Sequence, residues 1–109
     1  IEPWVDEIAA YKATGGDLDA LRDHIRDLGL TVESAIGFFE WAVDDDSRRS
    51  QGMQDALTAM TLVSRIGGKR IAAPPWGAHE PGTPRLDLLA VAERYDALIR
   101  LGELKNVVP

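Results

Sequence analysis

The sequence predicts an α/β protein built from parallel strand–helix units, and three observations indicate this class. Short β-branched apolar runs begin at Gly29, Gly68 and Leu104, at intervals of 39 and 36 residues. One amphipathic segment separates each pair of runs, and strands joined by a whole helix run parallel with right-handed crossovers. Neither a GxGxxG fingerprint nor a P-loop follows any run, which favours a (β/α)8 barrel over a nucleotide-binding sheet.

The length predicts about half of such a barrel. The chain has 109 residues, whereas a complete barrel needs about 250. We therefore predict a single partial barrel domain over residues 1–109. The chain starts at Ile1 inside a strand-like motif, which predicts that upstream residues have been removed.

The first predicted helix covers residues 17–28. Asp17 is a good N-cap and Gly29 a typical C-terminal stop. Its apolar residues have helical spacing: Leu18, Leu21, Ile25 and Leu28. The β-branched, apolar residues that follow predict a strand over residues 30–38.

The second predicted helix covers residues 47–66. The acidic run Asp44–Asp46 supplies a cap and charges that favour a helix N-terminus. Gly52 is expected to weaken only its first turn. A strand is predicted over residues 69–74, because two prolines then end its ladder. The apolar residues of the helix recur at helical spacing: Met53, Leu57, Met60, Val63 and Ile66.

The third predicted helix covers residues 84–102. Thr83 would be its N-cap and Pro84 its first residue. A further strand starts at Val107–Pro109. The apolar face of the helix would consist of Leu88, Val91, Tyr95 and Leu98.

The charge balance argues against anionic partners. Twelve Lys and Arg residues against 18 Asp and Glu give a net charge of −6, which repels phosphate backbones and anionic lipid surfaces. No apolar run approaches the roughly 20 residues of a membrane span, and no signal segment opens the chain. The absence of cysteine fits a reducing compartment. We expect no nucleic acid or membrane partner and a cytoplasmic location.

Residues 1–11, 29–78 and 88–103 resemble the sugar phosphate isomerase/epimerase family of xylose-isomerase-like TIM barrels, which also contains relatives of endonuclease IV. The most specific parts are "AIGFFEW" with the acidic residues after it, and "IGGKRIAAPP". The resemblance implies that Ile1–Trp4 ends the second barrel strand and that residues 30–38 and 69–74 form the third and fourth. Val107–Pro109 would begin the fifth strand.

The resemblance also implies chemistry. Similar proteins bind a divalent metal (Mn, Mg, Zn or Co) through carboxylates and a histidine at the ends of strands five to eight. None of those positions lies in this chain, so we expect no metal ligand and no cofactor in it, and its catalytic residues are unknown. The predicted function is a fragment of a metal-dependent sugar or polyol (phosphate) isomerase or epimerase, inactive by itself.

Two alternatives stay open. The chain could be a non-catalytic half-barrel module or an oligomerising fragment. An endonuclease IV-like phosphodiesterase would need metal-binding histidines at the third and fourth strand ends and a basic groove, whereas those ends read "GFFEW" and "APPWGA".

Candidate residues for binding a small sugar or polyol are those expected at the C-terminal strand ends, where barrel sites lie. Each has a structural alternative: the aromatic residues could pack in the core, and the histidine could simply be exposed. The candidates are Glu2, Trp4, Phe38, Glu40, Trp41, Trp76 and His79.

An open half-barrel exposes two strand edges, which pair readily with another strand. We therefore expect a homo-oligomer, with residues 69–73 or 1–4 close to the contact.

Overall fold

Helices and strands alternate along most of the chain in the computed structural model, which describes residues Ile1–Pro109. The two strands, β1 (Ala35–Ile36) and β2 (Ile71–Ala72), form a parallel sheet. The four helices are α1 (Val5–Ala13), α2 (Leu18–Asp27), α3 (Asp46–Arg65) and α4 (Leu88–Glu103).

Two further segments extend this sheet by single bridging pairs. Trp4 pairs with Ile36 at one edge, and Val108 pairs with Arg70 at the other, both in parallel orientation. Four extended segments therefore lie side by side in chain order and run in the same direction. The predicted α/β class with parallel strands is confirmed.

The strands are shorter than the predicted ranges 30–38 and 69–74. The last β1 to β2 hydrogen bond is donated by the Gly37 amide to the Ala72 carbonyl, at 3.1 Å. Beyond it, Pro74 and Pro75 have no amide proton, so the ladder cannot continue.

The N-caps of α2 and α3 confirm the predicted helix starts. The Asp17 side chain accepts from the Asp19 and Ala20 amides, and the Asp45 side chain accepts from the Arg48 amide. Both helices thus begin within a residue of the predicted position.

The predicted start of the last helix at residue 84 is wrong. Asp87 is the N-cap of α4, and its carboxylate accepts from the Leu89 amide at 2.8 Å. An aspartate three residues after Pro84 provides a stronger cap than Thr83, so the intervening residues stay outside the helix. Leu88 is consequently 74% exposed rather than part of the core.

Helix α1 has no counterpart among the predicted helices. Its N-cap residue, Trp4, makes no side-chain cap hydrogen bond, and only Val5 and Ile8 are buried. A short helix with no capping residue and a narrow apolar stripe gives little sequence signal.

The core lies between the helices and one face of the sheet. It is a single cluster of 18 buried residues, in which α3 contributes Met60 and Val63, both fully buried. Ala35 and Ile71 are also buried and place this face of the sheet on the core. None of the helices is both long and apolar enough to cross a membrane.

The opposite face of the sheet is not covered. Side chains alternate between the two faces of a strand, and we call the uncovered side the open face. Parallel sheets are normally buried on both sides, so this one is half-covered. The apolar residues of the open face are Trp4, Ile36, Phe38, Ala72 and Val108, of which all but the partly buried Ile36 are exposed. Ser34 and Arg70 lie on the same face at the start of the strands.

Candidate functional site

Four aromatic rings from three parts of the chain touch one another in a row, which we call the aromatic shelf. Ring centroids are 5.5 Å apart for Trp4 and Phe38, 4.8 Å for Phe38 and Trp76, and 4.9 Å for Trp76 and His79. Trp4, Phe38 and Trp76 are 47%, 40% and 44% exposed. The shelf therefore presents ring surface to solvent.

The parallel sheet brings these rings together. Trp4 and Phe38 lie at or just beyond the C-terminal ends of their extended segments, which meet at one edge because the segments run the same way. After β2 the chain turns sharply, since the Trp76 amide donates to the Pro74 carbonyl at 2.7 Å. Gly77 then adopts a φ of 78°, which a residue with a side chain rarely adopts.

Two cavities adjoin the shelf. One, of about 260 Å³, lies among Phe38, Trp76, His79 and the two prolines. The other, of about 290 Å³, shares Phe38 and Trp76. An apolar and a polar compartment thus adjoin the same rings. The polar side chains that line the second cavity are Glu40, Arg48, Gln51 and Asp55.

The largest cavity, of about 390 Å³, lies elsewhere. Its lining includes Arg22, Arg26, Lys69 and Arg70, and it sits at the C-terminal ends of α2 and α3. Cations at helix C-termini offset the helix dipole. That role fits Arg26, while Arg22 is paired with Asp19 and Asp23 and Arg70 lies 4.0 Å from Glu33. Structural pairing thus occupies most of the basic lining, so we place the candidate site at the shelf.

A bidentate ion pair between Arg48 and Glu40 lies beside the shelf. Arg48 donates from Nε to Oε2 of Glu40 at 2.9 Å and from Nη2 to Oε1 at 2.6 Å. These hydrogen bonds lower the pKa of Glu40, against an opposing effect of desolvation, and raise the pKa of Arg48. Glu40 therefore stays ionised and paired, which makes it a poor general base.

Acid is expected to weaken this pair. A lowered carboxyl pKa means that the native state binds fewer protons than the unfolded chain, so stability falls as pH falls. The contribution is complete above the ordinary glutamate pKa of 4.5 and is lost as pH drops through the lowered native value. Because the pair is partly exposed and contributes little stability, thermal midpoints measured between about pH 6 and 3 should fall only slightly more steeply in the wild type than in Glu40→Gln. Parallel curves for the two proteins would contradict this expectation.

Glu2 and Trp41 lie outside the shelf, although the sequence suggested them as ligand contacts. Glu2 is exposed on the first extended segment. Trp41 is only 5% exposed, and its indole Nε1 donates to the carbonyl oxygens of Ala73 and Pro74 at 3.0 and 3.1 Å. We expect Trp41 to fix the end of β2 from the core side rather than to touch a ligand.

Sequence reasoning missed several residues that line or shape the site: Arg48, Gln51, Gly52, Asp55 and Gly77. Gly52 lies inside α3, where a Cβ would come within 2.5 Å of the Glu40 backbone. It therefore does more than weaken a first turn, because it lets the helix approach the strand end. A glycine in the interior of a helix is the signal that could have indicated such a contact.

The side chains present do not fit a divalent metal site. No group of three or more His, Cys, Asp or Glu residues lies close enough together to hold an ion.

The chain thus has a parallel α/β fold with an aromatic site at the C-terminal strand ends, and such a fold occurs in a sugar epimerase. The crystal structure of the apo form of 3-keto-D-glucoside 4-epimerase, YcjR, from E. coli matches 95% of this chain with a TM-score of 0.58 and 20% sequence identity. The chain covers 48% of that protein, about half of its length. No family model matches the sequence, and neither does any curated protein.

Proposed function

We propose that this chain binds a sugar or polyol on the aromatic shelf, as one wall of a sugar isomerase or epimerase site. The observation that supports this most directly is the row of half-exposed rings at the C-terminal strand ends, where α/β proteins bind ligands. The likeness of the fold to half of a 3-keto-D-glucoside 4-epimerase agrees with it.

The physical basis is the two-sided character of sugars. The C–H groups of a pyranose face carry partial positive charge and fit the negative faces of aromatic rings. Hydroxyl groups at the rim of the sugar need polar partners, which the neighbouring cavity offers at Gln51 and Asp55. A ligand of this chemistry could use both compartments beside Trp76 and Phe38.

Catalysis would need groups from outside this chain. The charge of Glu40 is compensated by the ion pair with Arg48. The acidic residues form no cluster that could hold a metal ion. We therefore propose that in a complete enzyme of this kind other residues hold a divalent metal such as Mn, Mg, Zn or Co. That a full-length enzyme would be cytoplasmic also stays a proposal.

Titration followed by NMR tests the binding proposal. D-glucose, methyl β-D-glucopyranoside and myo-inositol are the probes, and a short DNA duplex tests the phosphodiesterase alternative. We expect saturable sugar or polyol binding in the millimolar range, about −4 kcal/mol, with the largest shifts at Phe38 and Trp76. Failure of all three small probes to bind would overturn the proposal, and binding of the duplex instead would favour the phosphodiesterase alternative.

Self-association is a second property that the open face favours. The outer segments at Trp4 and Val108 have one sheet neighbour each, and the apolar open face is uncovered. We expect a homodimer or larger oligomer, since free edges pair and two-fold symmetry is commonest. The contact should involve residues 1–4 or 107–109 rather than 69–73, because β2 has neighbours on both sides. Sedimentation equilibrium measures this, and a stable monomer at tens of micromolar contradicts it.

A further inference from the structure

We propose that the Glu40–Arg48 ion pair is the positioning element of the aromatic shelf, because it supports the loop Pro75–Glu80 that presents Trp76 and His79. Neither charged residue needs to touch the ligand in this role. The proposal rests on the sugar-binding function proposed above, and it adds how the orientation of the rings is set.

The first argument is the close approach of the loop to the pair. A Cβ at Gly77 would lie 2.7 Å from Oε1 of Glu40 and 3.1 Å from Nη2 of Arg48. The backbone next to Trp76 therefore rests directly on the two paired side chains. Glu80, at the other end of the loop, places its Oε1 3.7 Å from the same Nη2 of Arg48.

The second argument is that the pair is itself held in place. Arg48 and Gly52 are four residues apart in α3 and so lie on the same side of the helix. The helix contacts the Glu40 backbone at Gly52, and Arg48 reaches the Glu40 carboxylate. Asp45 caps the helix by accepting from the Arg48 amide at 2.8 Å. The position of Glu40 is thus fixed by both its backbone and its side chain.

The third argument is that the loop has few other ties. The backbone hydrogen bonds donated within residues 75–83 come from Trp76, Ala78 and Thr83, and all three go to residues two or three positions earlier. Such local bonds shape the turn but do not attach it to the rest of the protein. The tertiary support of the loop comes from its ring contacts, from Ala78, which packs against the core, and from this ion pair.

The fourth argument concerns what such a pair contributes. Arg48 and Glu40 have side chains that are 44% and 28% exposed, and ion pairs of this kind add little to global stability. A two-pronged arginine–carboxylate contact is, however, specific in direction. Its loss should therefore change where the loop lies more than how stable the protein is.

The experiment compares Arg48→Met with the matched control Arg65→Met. Arg65 makes a similar two-pronged contact with Asp19, at 3.2 and 2.8 Å, away from the shelf, and its hydrogen bond likewise lowers the pKa of Asp19. Both proteins are labelled with 5-fluorotryptophan, and substitution of each tryptophan by phenylalanine assigns the three resonances. Thermal midpoint and affinity for methyl β-D-glucopyranoside are measured on the same samples.

In Arg48→Met we expect the Trp76 fluorine resonance to shift or broaden while that of buried Trp41 stays, at a nearly unchanged thermal midpoint. The affinity for the glucoside should fall about fivefold or more. Arg65→Met should change neither the Trp76 resonance nor the affinity. Gly77→Ala should also shift the Trp76 resonance and weaken glucoside binding. Its Cβ would displace the loop while the Glu40–Arg48 pair stays intact.

Two results overturn the proposal. An unchanged Trp76 resonance in Arg48→Met shows that the pair does not position the loop, whether or not sugar binds. If the Trp76 resonance of Arg48→Met shifts but the affinity for the glucoside does not change, the position of the loop has no consequence for binding. Failure of the wild type itself to bind any small probe rejects the proposed function, while the fluorine spectra still decide whether the pair holds the loop.

Discussion

Replacing Trp76 by alanine is expected to reduce the affinity for sugars at least about tenfold, which corresponds to roughly 1.4 kcal/mol of binding free energy. Trp76 is the ring that touches both Phe38 and His79, and it lines both cavities of the site. Its removal takes away the centre of the stacking surface. Because the ring is 44% exposed but packs against two others, we expect the free energy of unfolding to fall by about 1–2 kcal/mol.

The matched control for this variant is Tyr11→Ala. Tyr11 is 40% exposed, much like Trp76, but it lies in α1 and packs against Gly16 instead of the shelf. Titration with methyl β-D-glucopyranoside by NMR should show the loss only in Trp76→Ala. Equal affinities of the two variants for the glucoside would show that the shelf is not the binding surface.

Replacing Gly52 by alanine should destabilise the protein by about 1–3 kcal/mol, the usual cost of overpacking. Helix propensity alone predicts the opposite sign, a gain of roughly 0.5–1 kcal/mol for alanine inside a helix. The geometry decides between the two effects, because the new Cβ would lie 2.5 Å from the backbone carbon and oxygen of Glu40. Backbone atoms of this packed segment, four residues beyond β1, cannot move away easily.

Urea denaturation measures the free energy of unfolding for this comparison. Ser50→Ala is the control, since Ser50 is exposed in the same helix and only propensity should matter there. We expect that control to stay within about 0.5 kcal/mol of the wild type. A Gly52→Ala protein as stable as the wild type would mean that α3 does not press on Glu40.

Local signals in the sequence predicted much of the fold. Asp17 and the acidic run Asp44–Asp46 located two helix starts, because a capping carboxylate acts on amides within three residues of it. Pro74 and Pro75 located the end of β2 for an equally local reason, the missing amide protons. The recurrence of apolar runs then predicted parallel strands.

What could not be predicted depends on contacts between distant residues. Trp41 was predicted to contact a ligand, and the hydrogen bonds from its indole to carbonyls 32 and 33 residues away could not be predicted from the sequence. Gly77 and Glu40 are 37 positions apart, and their approach follows only once the strands and α3 are packed. Trp4, Phe38 and Trp76 were predicted individually, but their contact required the register of the sheet.

The order of the extended segments makes the chain suitable for tandem duplication. Its first and last segments lie at opposite edges of the sheet, and all four run in the same direction. A second copy joined through one more helical crossover could add its strands beside Val108 without reversing any of them. In such a doubled chain, each copy would bring its own aromatic rings to the same rim of the enlarged sheet.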